Sequence, residues 1–592
     1  RPRFASRRSL GLSLGLALVL GAGLLLQPPL SGQTGEGTYG SFLDRVEVEV
    51  VEVDVLVVDR EGQPVRDLGR DEFELLVDGE PVEIGYFTPP PAAAATAPVP
   101  PSPTGAGEEP APAETGEAPA AEPTTLVAYI DETAIRPGQR NQILEAFGRV
   151  LAERLAAGDQ VLVARFDEGL RLLTDLTTDP ATVQAALARA AKRAPASLLS
   201  QLEEAALLQD LESAEAGAGG GAGGRSSGAE DAEAMRLRAE LESRASFEAD
   251  RQRQATASLA DLVGALGGIP GRKTVLLGSG GFLSRPAARL GEIWQQRFAA
   301  FDPGSALPGD ELDSEAGGLQ HAFSRLLRTA QTTRVTFVTI EAGDTGSSLP
   351  DASFGGGLEA ASSLAAGTAG LEASGSLGVL AAATGGRRLK LEPRIASALS
   401  QVGAELDARY SLGFPTGPEA GSRFHRIEVR VLRDGLRVQH REGFRRRAGA
   451  DRALDALLAT AALGGGENAM GVTVETGEPR KAQRGRHSLV PVVVKVPLRA
   501  IALLPEANAQ SGRLRFTFAL RDPSDRVVQL EPRPLAFSVP NADLAAALRQ
   551  VVSMSVEVPV GSGPHRLAVG VHDEIGDARS TLILPLAVAK SK

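Results

Sequence analysis

From 44 to 59 the chain reads DRVEVEVVEVDVLVVD, with apolar and polar positions alternating. A period of two predicts a long strand, valines on one face and Glu47, Glu49, Glu52 and Asp54 on the other. DREGQPV follows as a turn, and DEFELLVDGEPVEIGYF predicts a hairpin that reverses at Asp78-Gly79. At 124 the rhythm changes. TLVAYID is a short, wholly apolar run ending in a carboxylate, and in the helical pattern after it Ile143, Phe147, Val150, Leu151 and Leu155 share one face. DQVLVARFD, GRKTVLLGSGGF and TRVTFVTIEAG repeat the apolar-run grammar. EGLRLLTDLTTD reads as a short edge element and 180–193 as a further helix. Short apolar strands spaced by amphipathic helices predict a mostly parallel sheet covered on both faces.

After a last helical layer, LGVLAAATGGRRLKL and RIASALSQVGAELDARYSLGF, the alternation returns. FHRIEVRVLRDGLRVQHREGF (424–444) predicts a hairpin turning near Asp434-Gly435. From about 450 the pattern is all-β, with turn residues between strands as in a β-sandwich. The fold class expected is therefore multidomain α/β plus all-β, ending in an Ig-like β-sandwich. Gly-rich tracts interrupt the α/β part at 216–231, where two helical arms would join, and at 343–378.

Composition narrows the classes. At 592 residues with 43% apolar content the chain has material for about three cores, while aromatics at 4% leave those cores to Leu, Val and Ala. Between 89 and 123 only Pro, Ala, Glu, Thr and their like remain, which is linker chemistry. A formal charge of -12 argues against a nucleic-acid partner. The absence of cysteine removes disulfides, thiolate metal sites and cysteine nucleophiles. The N-terminus has a basic start, Arg7-Arg8 among it, then an apolar stretch over 10–26 and Pro28-Pro29. That is an export signal, cleaved or retained as an anchor, and it is the one membrane contact expected. Periplasm, cell surface and secretion are all compatible with it.

Several segments together resemble von Willebrand factor type A domain proteins of the acidobacterial kind. They are VEVDVLVVDREGQPVRDLGRDEFELLVDGEPVEIGYF, the strand ending at Asp131 with its long helix, GDQVLVARFDEGLRLLTDLTTD, PGRKTVLLGSGGF, ATGGRRL and LDARYSLGFPTGPEAGSRFHRIEVRVLRDGLRVQHREGF, over about 40–447. The resemblance implies a Rossmann-like type A domain at 124–405. The residues themselves give a signal at 1–34, a β-segment at 41–90, a linker at 91–123, a β-hairpin segment at 406–447 expected to pair with 41–90, and a C-terminal sandwich at 448–592. Neither β-segment has enough strands to bury a core alone.

Type A domains commonly hold a divalent cation at the carboxyl ends of the parallel strands, through an Asp-x-Ser-x-Ser motif, a later Thr and a strand-four Asp. Here the motif reads Asp131-Glu132-Thr133-Ala134-Ile135, and Ser279 falls near the strand-four Asp. Ser197 and Thr256 are both conceivable for the third loop. Asp131, Thr133 and Ser279 form the candidate metal set, and Glu132, Arg136 and Ser284 the candidate ligand-binding face. One carboxylate with hydroxyls gives Mg or Ca little compensation for lost water, so a degenerate site that binds no cofactor is expected. Asp131 also has a local explanation, since a carboxylate near a helix start accepts backbone N–H groups.

Other constellations carry less. The six histidines have no HExxH or paired spacing, GSGGF lacks the GK[ST] of a phosphate loop, and no G-x-S-x-G elbow surrounds Ser279. Nine arginines between 423 and 447 make a solvated face or a patch for an anionic partner, with the acidic positions of 47–54 as a natural complement on paired strands. The expectation is an exported, non-enzymatic interaction or adhesion protein whose partner is a protein ligand or envelope component. A Mg-dependent adhesin for an acidic ligand and an envelope assembly scaffold remain open beside it.

Overall fold

The computed structural model describes residues 49–91, 124–194, 202–210, 228–282, 309–342, 375–416, 423–445, 449–482 and 487–588, apart from single positions at 134, 136, 204, 208 and 525. All belong to one unit, Gly40–Lys592. The expected signal, most of the linker and the Gly-rich tracts lie outside them.

Strand β1 (Glu49–Val58) carries the first alternation, and its valines face inward. β2 (Phe73–Val77) and β3 (Glu80–Val82) form the hairpin, with Asp78 at φ 53° and Gly79 at φ 89°. Two successive left-handed residues match the twist of the flanking strands, which is why Asp-Gly stands there. β4 (Tyr86–Thr88) follows.

Chain order then builds the α/β layer. β5 (Thr125–Asp131), β6 (Gln160–Phe166) and β7 (Leu170–Leu172) come first, with α1 (Pro137–Ala156) between β5 and β6 and α2 (Pro180–Lys192) after β7. They are followed by α3 (Gly228–Leu266), β8 (Lys273–Ser279), α4 (Gly309–Thr332), β9 (Val335–Glu341), β10 (Arg387–Lys390) and α5 (Ile395–Leu406). The sheet order is β10-β9-β8-β5-β6-β7; every neighbouring pair is parallel except the edge pair β6–β7. β5 is buried along its whole length because both faces are covered. Leu126, Ala128 and Ile130 meet α1 and α5 through Ile143, Phe147, Leu399 and Val402. Val127 and Tyr129 meet α3 and α4 through Leu259, Val263 and Leu326. α2 starts on Asp179, whose carboxylate accepts from the N–H groups of Ala181 and Thr182.

The strands on either side of this layer share two four-stranded sheets. β11 (Arg409–Thr416) pairs with β1 from Glu49↔Thr416 to Leu56↔Arg409, and β12 (Phe424–Val431) pairs with β2. β13 (Arg437–Gln439) joins β1, and β14 (Gly443–Arg445) joins β12. One core fills the space between, including Val53, Val55, Phe73, Leu75, Tyr410, Leu412 and Ile427. Two expectations are corrected here. The segment 424–444 is not a hairpin: its turn at 433–435 exists, but β12 and β13 go to different sheets because each finds a longer partner from before the linker. The acidic side chains of β1 also meet the arginines of 423–447 only at Arg441, which lies in the field of Glu52 and Asp54 and donates to the Glu52 carbonyl. Glu52 and Asp54 pair with Arg334 and Arg272, at the starts of β9 and β8. Arg433 pairs instead with Asp67 and Glu72, and Arg430 with Glu428 and Glu74.

A third expectation fails at 449, where the chain is not yet β. α6 (Gly449–Leu463) is helical, an Ala- and Leu-rich segment ended by Gly464 at φ 78°. It docks so closely on the α/β layer that a Cβ at Gly268 would lie 2.0 Å from the Asp455 carbonyl oxygen. Its other side covers β16 (Ala509–Arg521) and β18 (Gly563–Asp573) through Leu457 and Ala461. Beyond it lies the all-β part. β15 (Ser488–Pro497) pairs with β17 (Val551–Val560) in one sheet, and β16, β18 and β19 (Arg579–Val588) lie side by side in the other. Val490, Val492, Val494 and Val496 meet Leu514, Phe516, Phe518 and Val569 between the sheets. The chain is thus mixed α/β, with one parallel-containing sheet and several antiparallel ones.

Candidate functional site

The parallel strands end together, and the side chains at the ends of β5 and β8 converge. The Ser279 hydroxyl donates to Asp131 Oδ2 at 3.0 Å. Thr133 donates to Asp131 Oδ1 twice, from its hydroxyl at 2.6 Å and its N–H at 3.0 Å. Asp131 is 4% exposed and Ser279 fully buried. The Asp131–Thr133 pair is an Asx-type turn, so the local reason for a carboxylate at this strand end is met within two residues. The Gly281 N–H completes the arrangement by donating to the Ser279 oxygen.

Burial pushes the Asp131 carboxyl above its ordinary 3.8, although the Thr133 and Ser279 hydrogen bonds and the field of Arg251 pull the other way. A metal ligand is an ionised carboxylate with lone pairs to spare, and here both Asp131 oxygens already accept hydrogen bonds. Ile135, where the motif would place its second hydroxyl, is fully buried and apolar. One buried carboxylate with two hydroxyls already bonded to it is a weak ligand set for a divalent cation. The described residues contain no group of three or more His, Asp or Glu side chains that could hold one. Of the third-loop candidates, Thr256 is buried and donates to the Gln252 carbonyl of its own helix at 2.8 Å, and Ser197 lies outside the described residues.

Glu132 is corrected as a member of an exposed binding face: it is 2% exposed. Its carboxylate lies 3.4 Å from the Arg140 guanidinium and 3.5 Å from that of Arg165. Arg165 also reaches Asp167 at 2.7 Å, and Arg193 reaches Asp167 at 3.2 Å. Arg140 caps the end of α2, donating to the Ala190, Ala191 and Arg193 carbonyls at 2.7–3.1 Å. Buried ion pairs of this kind hold α1, α2 and β6 in register. Arg136 and Ser284, the other two residues of the expected face, lie outside the described residues.

The late-strand histidines serve packing. His425 lies 3.0 Å from Asp78 and stacks on Phe444, and His440 accepts from the Val429 N–H at 3.2 Å.

A second constellation sits at the opposite end of the parallel sheet, and the sequence did not announce it. Arg272 Nε donates to Asp54 Oδ1 at 2.8 Å, while Arg334 takes both Asp54 oxygens at 2.8 Å and also pairs with Glu52. Burial alone would raise the Asp54 carboxyl, but Arg334, then Arg272 and Arg409, hold it well below the usual range. Lys273 is 5% exposed and donates to the Ile269 carbonyl at 2.8 Å. Burial, and next the field of Arg334, bring its ammonium down from 10.5 to about 7. Arg409 and Arg441 complete the group, donating to the Gly385 and Glu52 carbonyls. The available signal was a basic residue just before each apolar strand, GRKT and TTRV, but it acquires meaning only once β1 lies beneath those strand starts.

No family model matches the chain, and no curated protein matches it. Among solved structures, the three N-terminal domains of the type V pili tip protein Mfa5 from Porphyromonas gingivalis align over 92% of this chain and 78% of that one. The identity is 9% and the TM-score 0.23. A Northeast Structural Genomics Consortium target aligns over 20% of this chain and 86% of its own, at 11% identity and a TM-score of 0.14. Neither likeness is strong enough to carry an argument about this protein.

Proposed function

We propose that this protein is an exported, non-enzymatic interaction protein built on a type A domain whose cation site has degenerated, and that it engages a protein or envelope partner without a metal. The reading is carried by one observation: Asp131, Thr133 and Ser279 occupy the strand ends where type A domains coordinate a cation, yet satisfy one another by hydrogen bonds. The sheet order, with its single antiparallel edge strand and helices on both faces, supports the type A assignment. The domain is inserted between the halves of a β-sandwich, and the two sheets after α6 are read as the Ig-like module.

Calorimetric titration of magnesium and then calcium into the full chain tests the proposal, with Asp131→Ala as the comparison. No saturable heat in either protein is the expected result. Binding by the wild type that disappears in the variant would establish a working adhesion site in its place and direct the search to acidic ligands.

A further inference from the structure

Where the inserted α/β layer meets the sandwich, the described residues hold more positive than negative charge. Arg272, Lys273, Arg334, Arg409 and Arg441 face two carboxylates, Glu52 and Asp54. Glu405, the next nearest, is taken by Arg387 at 2.5 Å. Both Asp54 oxygens are hydrogen-bonded by Arg334 and Arg272, and Asp54 reaches Lys273 and Arg409 through its field. A small recess opens between these groups, lined by Arg272, Lys273, Arg409, Thr124, Thr336 and Asp54. On its wall Arg409 is 5% exposed, and its buried Nε has no hydrogen-bond partner.

Buried charge in folded proteins is paired, and an orphaned buried donor calls for an explanation. The recess is about large enough for one small particle and is rich in donors: the Arg409 Nε–H, the Lys273 ammonium and the threonine hydroxyls. We infer that it is a binding site for a monatomic anion, chloride in ordinary solution, held by Arg409, Lys273 and Arg272 at the joint between the inserted layer and the sandwich. Water could fill it but would leave the excess positive charge unneutralised.

The anion would bridge β8, through Lys273, to β11, through Arg409, and so tie two segments that belong to different cores. It would also favour the charged form of Lys273, whose charged neighbours are Glu52 and Asp54 from β1, Arg272, Arg334, Arg409 and Arg441. This site is independent of the interaction reading, since it lies at the other end of the sheet from Asp131.

The test compares unfolding temperature of the full chain in sodium chloride, sodium bromide and sodium gluconate at equal ionic strength. Chloride and bromide should raise it saturably by a few degrees over gluconate. The difference should vanish in Lys273→Met, which keeps the bulk but removes the charge. Bromide anomalous scattering from a crystal grown in bromide should place the ion between Arg409 and Lys273. Equal unfolding temperatures in halide and gluconate overturn the proposal, as does a crystal with water alone in the recess.

Discussion

At the C-terminal end of the parallel sheet the Asp131 carboxylate is met by three short-range donors from Thr133 and Ser279. At the N-terminal end, two carboxylates of β1 sit among five cations: four from β8, β9, β11 and their approaches, and Arg441 from the link between β13 and β14. The first cluster is closed within a few residues of chain and one neighbouring strand. The second is open, because its charges come from segments more than 200 residues apart in sequence. Charge that is satisfied locally reports how a strand ends. Charge gathered across a domain boundary reports how two cores are joined.

The comparison is broken most severely at Asp54. Asp54→Ala leaves Arg272 and Arg334 without their shared carboxylate in a largely buried position, and should lower stability by about 3–5 kcal/mol in urea unfolding. A loss below about 1 kcal/mol would mean that the guanidiniums find solvent easily, and that the joint is looser than described. Acid should act in the same direction. The depressed Asp54 contributes stability above its unfolded value near 3.8, and loses it as pH falls through the folded value.

Lys273→Met should have the opposite sign. Because the folded state favours the neutral amine, folding releases a proton between about 7 and 10.5, so wild-type stability rises with pH across that window. Met should remove that slope and add roughly 1–2 kcal/mol at pH 7 in low halide. Matching stability–pH curves for variant and wild type would show that Lys273 is not held as described. At the other end, Ser279→Ala removes one donor to Asp131 and should cost about 1 kcal/mol, read from the unfolding midpoint. A much larger loss would point to an ionised carboxylate that depends on that hydroxyl.

Much of the fold was legible where the signal is local. The apolar run of β5 and the Ile143–Phe147–Leu151 face of α1 announce a covered parallel strand and its helix, and Asp78-Gly79 announces the hairpin. The meeting of Asp131, Thr133 and Ser279 was legible as well, because all three stand at strand ends. Elements fixed by distant partners were not. β12 and β13 read as one hairpin, since Asp434-Gly435 is good turn chemistry, but β1 and β2 draw them into separate sheets. α6 was hidden because the Gly-rich turn after it resembles β-rich loop sequence, although 449–463 has helical composition. Glu132 looked available beside Asp131 until Arg140 and Arg165, from α1 and β6, closed over it.

The most direct measurement is thermal unfolding of the wild type and Asp131→Asn at neutral pH, each with and without excess magnesium. Burial favours the protonated carboxyl, so an ionised Asp131 opposes folding at neutral pH, and an uncharged amide of the same shape should be about 1 kcal/mol more stable. Magnesium should move neither protein. A destabilised Asn variant together with a wild type that gains stability from magnesium would contradict the closed site and show that Asp131 holds a cation after all.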